Sequence, residues 1–530
     1  MRKLLAAILA IFVSLLGALL LLEGGVRLFK LARPAENPGW FFKVPDPITG
    51  WGRMANSEGR WFNELYEFDT YIRYNSRELR APESLDYAKP AGVYRVMVLG
   101  DSFVEALQVD LAQTFFQRFG EHLDGAGMDV EVIGVGAGGW GTDQALLWFE
   151  NEGVKYQPDT VILAVFPSND FMDNAEALSV ANRGAVLKPF FALDNGELTL
   201  RYFPFDPDKT PQPVQDQAEP ERGASIPALA PASDPALAGV GVWLHEHSAL
   251  YRYLDPRVRI VTPGLARSLS RTGLIQPGAE SSPLPADYVP VAYGIYAQPL
   301  SPEWQGAVDL TTALFARFKT SVEASGADFG AVIVTAQEQI YDHQWQQILA
   351  RFPPMREKRW DPLQANVLAV QSLAAAEAPT LNLLPLFQAQ ADAGGTLHFP
   401  QDGHWTDYGH DVAAAALFNF VGETGLIPAV AGQRAPVPSP LVERSLWSWF
   451  VLGILVLLGV SLLWSIVKNG PAAWFRDVGS RFGTAGELLI YMVEERQFLL
   501  LPLVIVLLLF GGLLIIAQAS VVGPFIYTLF

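Results

Sequence analysis

The sequence predicts an α/β fold, a mostly parallel sheet covered by helices on both faces in three α/β/α layers. Three observations predict it. Apolar runs of strand length alternate with stretches of helix length from about residue 95 to residue 420, and strands separated by helices give a parallel sheet buried on both sides. Several of these runs end in glycine or small polar residues. The first, Val-Met-Val-Leu at 96–99, stops at Gly100-Asp101-Ser102, which sets a hydroxyl at the strand edge where open α/β sheets bind ligands.

The elements follow in order. Residues 35–90 form a mixed lead-in of interleaved aromatic and polar residues. Arg95–Leu99 is a short buried strand and Leu111–Leu123 a helix. Val130–Val135 is the next strand, Thr142–Glu152 its helix, and Thr160–Phe166 a third strand. Later strands, Phe329–Thr335 and Thr380–Leu384, each follow a helical stretch, Glu303–Ala324 and Pro362–Glu377. Asp407–Phe420 is the final helix. The alternation breaks between about 175 and 300. Phe203–Gly239, rich in Pro, Ala, Asp and Gln, reads as a flexible exposed loop. Val240–Val261 reads as a helical piece of the same insertion, which either caps the strand edge or is a surface excursion.

Half of the 530 residues are apolar, and the excess sits in three runs, Leu4–Leu22, Leu446–Val467 and Phe498–Ala517. Each is long enough for a bilayer core of roughly 30 Å. Trp447, Trp449 and Trp464 border the second run as an interfacial belt does. The first reads as an uncleaved anchor over residues 1–30 rather than a signal peptide, because it is long and Glu23-Gly24-Gly25 is a poor cleavage exit. Lys468, Arg476, Arg481 and Arg496 place the 468–497 link, with an amphipathic helix, on the cytoplasmic side. A domain spanning 35–435 then lies outside, and 498–530 is a last span with its tail. These features predict a multi-pass protein of a bacterial inner membrane, with its large domain periplasmic and the lipid bilayer as a partner. There is no cysteine, hence no disulfide or thiol chemistry. A net charge of −18 argues against nucleic acid, which requires a basic surface.

Four strand-end signals carry chemistry. Ser102 is the candidate nucleophile; the plain alternative is a helix N-cap. Gly134-Val135-Gly136-Ala137-Gly138-Gly139 is a glycine-rich turn that leaves backbone N–H groups for an oxyanion. It fits neither a Walker loop nor a dinucleotide fingerprint. Asn169 ends the third strand and offers a side-chain N–H. Downstream, Asp402-Gly403-His404-Trp405 supplies a base with an orienting carboxylate. His398, Asp402, His404, Asp407 and His410 also read as a metal set, although they lack helical His-Glu-x-x-His geometry. His410 alone reads as a structural histidine.

Together these blocks resemble the Gly-Asp-Ser, or SGNH, hydrolase superfamily over roughly residues 70–425. The resemblance implies a flavodoxin-like domain with Ser102 as nucleophile, His404 as base and Asp402 as its partner. It implies an oxyanion hole made by the Ser102 and Gly139 N–H groups and the Asn169 side chain, with no cofactor and no metal. Two positions depart from the pattern: Gly134 replaces the usual Asn, and Gln401 stands where the acid commonly lies. The Asp-x-His-Trp form resembles the branch that includes alginate acetylation proteins. Gly486–Phe530 resembles a one-span membrane domain of unknown function whose members are often encoded beside polysaccharide-modifying genes. The expected activity is a serine esterase or O-acyltransferase acting on an acylated small molecule or glycan, with a membrane-bound acyltransferase as a conceivable partner. The alternative is a non-catalytic glycan-binding or assembly subunit.

Overall fold

A computed structural model describes residues 16–36, 42–211, 237–276, 278, 285, 287–357 and 360–440. The chain divides into two units: residues 33–246 with 255–440, and residues 1–32 with 247–254 and 441–530. The first unit is built on five parallel strands, β1 (Tyr94–Gly100), β2 (Val130–Gly136), β3 (Thr160–Val165), β4 (Asp328–Ile333) and β5 (Thr380–Asn382). Their order in the sheet is β5-β4-β3-β1-β2. This is the flavodoxin-like order, in which the connections leave β1 in opposite directions and open a crevice at the β1/β3 edge.

Successive side chains of a strand face opposite ways, so each central strand serves two cores. Met97, Leu99, Val161, Leu163 and Val165 pack with Phe149, Leu314, Phe315 and Phe318. Val96, Val98, Ile162 and Ala164 pack with Phe116, Phe119, Leu417 and Val421. Helices Thr142–Asn151, Pro302–Ala324 and Gln364–Ala375 cover the first face, and helices Phe115–Gly125 and Asp407–Thr424 the second. This double burial is why the strands read as unbroken apolar runs.

The lead-in folds as two antiparallel hairpins, Lys43–Asp46 with Gly50–Arg53 and Glu58–Phe62 with Asp69–Arg73. The stretch expected as one helix over Leu111–Leu123 is broken. Residues 111–113 form a single 3-10 turn, and Thr114 then starts helix Phe115–Gly125, its hydroxyl accepting from the Gln117 N–H at 3.4 Å. A threonine side chain that caps a helix end wins there over apolar periodicity.

The helical piece expected at Val240–Val261 is likewise divided. Helices Ala238–His247, Ala249–Val261 and Pro263–Thr272 are observed. In the second unit, Glu23 accepts the N–H groups of Ala249 at 2.9 Å and Leu250 at 2.8 Å, together with the Ser248 hydroxyl. A carboxylate there satisfies a new helix N-terminus. Pro263 occupies the first turn of the third helix, where its missing N–H costs nothing.

Among the described residues no helix is long and apolar enough to cross a membrane. Residues 16–28, which take in the end of the first apolar run, are helical. The rest of that run, the runs at 446–467 and 498–517 and the 468–497 link lie outside the described residues, as does 212–236 of the expected loop.

Phe318 tests the layered core. It is fully buried between Phe149 and Phe329, with ring centres at 5.8 and 5.7 Å. Phe318→Ala is expected to cost about 3–5 kcal/mol, read as a lowered urea midpoint; an unchanged midpoint contradicts this packing.

Candidate active site

Strand β1 delivers the candidate nucleophile, Ser102. After Gly100 the chain turns into the short helix Ser102–Glu105, and Asp101 Oδ1 accepts the Phe103 N–H at 3.0 Å. Ser102 is first in that helix, so its N–H has no intrahelical partner. Gly100 does not have a positive φ. Glycine is required there by close approach, since a Cβ would lie 2.9 Å from the Ala164 carbonyl oxygen.

The candidate base, His404, arrives from the far end of the chain. His404 Nε2 lies 2.8 Å from Ser102 Oγ, and His404 Nδ1 lies 2.6 Å from Asp402 Oδ1. The two-residue spacing works because Gly403 adopts φ +85°, a left-handed conformation that glycine takes without a Cβ penalty. The turn folds the carboxylate back under its own imidazole, where it also accepts the His404 N–H at 3.3 Å. Glu67, from the lead-in, accepts the N–H groups of Gln401 and Asp402, each at 3.0 Å. Trp405 is fully buried behind the base, and Phe103 leans on the His404 ring at 4.8 Å and on Trp405 at 5.2 Å.

Electrostatics prepare the pair for proton transfer. Burial disfavours a charged imidazole, yet Asp402, with Asp101 and Glu105 beyond, more than offsets this and raises His404 above its ordinary value. Burial also pushes Asp402 up, but the charge and hydrogen bonds of His404 hold it below the usual carboxylate range. With Asp402 ionised, Nδ1 carries the proton and Nε2 accepts from Ser102.

The remaining signals gather at the same strand edge. Gly139 has φ +76°, and its carbonyl accepts from Arg183 Nη2 at 3.1 Å. Asn169 follows β3, with Nδ2 donating to Asp101 Oδ2 at 3.2 Å. That bond uses one of its two amide protons and leaves the other. Asn169 Oδ1 is buried without a partner among the described residues. Burial raises Asp101 to about 6. Burial beside Asp101 and Asp173 raises Asp170 well above the carboxylate range, while Asp170 also accepts the Phe166 N–H at 2.8 Å.

The structure separates the members of the alternative metal set. His398 Nε2 faces the Thr335 carbonyl at 3.0 Å, His410 Nδ1 accepts the Phe115 N–H at 3.1 Å, and Asp407 pairs with Arg118 at 2.6 Å. Burial depresses His398 to about 4 and His410 to about 3, so both are neutral and structural. Among the described residues no group of three His, Cys, Asp or Glu is arranged to hold a metal ion.

Sequence reasoning missed several supporting residues. Glu105 accepts the Gly138 N–H at 2.6 Å and the Tyr74 hydroxyl at 2.8 Å, so it ties the nucleophile's helix to the glycine turn. Its position three residues after Ser102 was the available signal. Glu67, Lys43 and Trp51 sit in the lead-in, and Arg183 opens the insertion; nothing in their local sequence marks them.

Gly403→Ala tests the turn. It forces a side chain into φ +85°, a strain of about 1–3 kcal/mol. The expected result is a large loss of reactivity at Ser102 toward a fluorophosphonate probe with the fold retained by circular dichroism; wild-type labelling contradicts the turn's role.

Comparison with known proteins follows from this geometry. Residues 300–437 match the family described as an SGNH hydrolase-like domain, acetyltransferase AlgX. Residues 482–530 match a family of unknown function, DUF5989. No curated protein matches the chain. Among solved structures, TesA is 9% identical, with a TM-score of 0.27 over 63% of this chain and 99% of that chain. An acetyl xylan esterase, AlAXEase, is 12% identical, with a TM-score of 0.29 over 62% and 99%. LAE5, an α/β hydrolase from the metagenome of Lake Arreo, Spain, is 10% identical, with a TM-score of 0.28 over 63% and 97%. At these identities and scores nothing about chemistry follows from the structural likeness. The family match lies on the segment that carries Asp402 and His404, and it supports an SGNH hydrolase superfamily assignment and an SGNH-type hydrolase or O-acetyltransferase.

Proposed function

We propose that Ser102, His404 and Asp402 form the catalytic relay of a membrane-anchored O-acyltransferase or esterase that works on acyl esters of exported or cell-surface glycans. The observation that carries this reading is the continuous Ser102–His404–Asp402 chain of contacts at 2.8 and 2.6 Å. His404 takes the Ser102 proton as Oγ attacks the ester carbonyl, and Asp402 stabilises the imidazolium that forms. The Ser102 and Gly139 N–H groups and the second Asn169 amide proton receive the oxyanion. The tetrahedral adduct collapses to an acyl-enzyme, and His404 returns its proton to the leaving oxygen. The acyl group then passes to a sugar hydroxyl or to water.

The description of the matched family as an acetyltransferase supports transfer over hydrolysis. Membrane anchoring rests on the three apolar runs, and a periplasmic domain rests on the basic 468–497 link. That location, with the resemblance to the alginate acetylation branch, favours a glycan acceptor and a membrane-bound acyltransferase that supplies the acyl group.

With p-nitrophenyl acetate and the full chain in detergent, Ser102→Ala is expected to lose at least about 10³-fold in kcat/KM; equal turnover removes the reading. Asn169→Ala is expected to lose about 10²–10³ in kcat. Because His404 is raised and must be neutral to act, kcat/KM should climb with pH through a midpoint above 6.5. Asp402→Asn should move that midpoint down as the rate falls. A midpoint that stays in place contradicts the pairing. Adding a deacetylated glycan should divert product from acetate to acetylated glycan if transfer is the reaction; unchanged acetate release assigns hydrolysis.

A further inference from the structure

We infer that Lys43 and Trp51 polarise the peptide that supplies the oxyanion donor, and that Lys43 is a positioning residue for the transition state. This rests on the proposed role of Ser102 and Gly139.

The Gly139 N–H belongs to the peptide unit whose carbonyl is Gly138 O. That oxygen accepts from Lys43 Nζ at 3.0 Å and Trp51 Nε1 at 3.2 Å. Two donors on one carbonyl draw electron density toward the oxygen and make the N–H at the other end a stronger donor. One of them is cationic, and charge-assisted bonds are roughly twice as strong as neutral ones.

The rest of the turn leaves the Gly139 N–H as its available group. The Gly138 N–H is taken by Glu105 Oε2 at 2.6 Å, the Gly139 carbonyl by Arg183, and the Trp140 N–H by the Ala137 carbonyl at 2.9 Å. The Gly139 N–H itself has no hydrogen-bond partner among the described residues. The peptide is therefore held at both ends and by its oxygen, with one donor left over.

The clamp is built by register. In the hairpin Lys43–Asp46 with Gly50–Arg53, Lys43 pairs with Arg53 and Pro45 with Trp51, so Lys43, Trp51 and Arg53 share one face. That face lies on the glycine turn. Arg53 stands 4.9 Å over the Trp140 ring and pairs with Glu105 at 3.5 Å, and the Trp51 carbonyl accepts the Trp140 indole N–H at 2.9 Å. A cation next to this peptide also opposes the carboxylates of Glu105 and Asp101 in a chain of net charge −18. Its field favours the oxyanion over the neutral ester, so its effect belongs to kcat and not to KM.

The test uses the full chain, p-nitrophenyl acetate and a phosphonate transition-state analogue. Lys43 is exposed, so substitution leaves the core intact. Lys43→Met is expected to lower kcat about tenfold, leave KM within about twofold, and weaken the analogue by the same factor as kcat. Lys43→Arg, which keeps charge and donor, should restore most of the rate. Trp51→Phe keeps the ring and removes the Nε1 donor, and it should repeat the kcat-selective loss at a smaller size. Wild-type turnover that Ser102→Ala abolishes secures the catalytic reading first. Given that, Lys43→Met at wild-type kcat, a loss that appears in KM, or a failure of Lys43→Arg to rescue overturns this inference alone. If Lys43→Met lowers the thermal midpoint, the Trp51→Phe split between kcat and KM decides in the same way.

Discussion

A 2.8 Å contact between Ser102 and His404, residues 302 positions apart, is the constraint on which the rest of the site depends. Proton transfer needs the two side chains held within a few tenths of an ångström, and neither residue can be placed by its own neighbours in sequence. Ser102 is held by the end of β1, which is locked between β2 and β3. His404 is held by the turn before the last helix, whose apolar face packs on helix Phe115–Gly125 through Leu417, Val421, Phe116 and Phe119. The second core therefore sets the distance between Ser102 and His404. Trp405 and Phe103 complete the link as rigid aromatic spacers.

The lead-in and the insertion, elements outside the sheet, supply the second ring of support. Glu67 holds the backbone of the Asp402 turn, Lys43 and Trp51 hold the glycine turn, and Arg183 braces Gly139 while pairing with Asp173 at 2.8 Å. The strand edge is crowded with buried acids, and each has a partner. Asp143 pairs with the fully buried Lys188, Asp173 pairs with Arg183, Asp101 accepts from Phe103 and Asn169, and Asp170 accepts the Phe166 N–H while burial and its acidic neighbours raise it well above the carboxylate range. Breaking one of these buried pairs strands a charge, which costs more than the pair itself contributes.

Much of this was legible in the sequence, for physical reasons. Strands buried on both faces must be continuously apolar, so β1 to β4 stood out, and their polar ends marked Ser102, Gly139 and Asn169. The Asp402-Gly403-His404 turn was visible because an acid and a base at that spacing next to glycine have a chemical purpose. Other features were not legible. Thr114 interrupts a helix through one hydroxyl, and Glu23 starts a helix more than two hundred residues away. Lys43, Trp51 and Glu67 act through backbone groups of remote turns. Such contacts depend on tertiary approach, which composition and periodicity do not encode. The glycine at 100 was legible as a residue type but not in its reason, since only the packed sheet reveals the close approach to Ala164.

The central claim is that Ser102 is an activated nucleophile whose reactivity depends on His404. The most direct measurement is intact mass and peptide mapping after a fluorophosphonate reacts with the wild-type chain and with His404→Ala. The account predicts one stoichiometric adduct on Ser102 in the wild type, formed far more slowly in His404→Ala. An unmodified wild-type chain, an adduct on another residue, or equal labelling rates in the two proteins would contradict it.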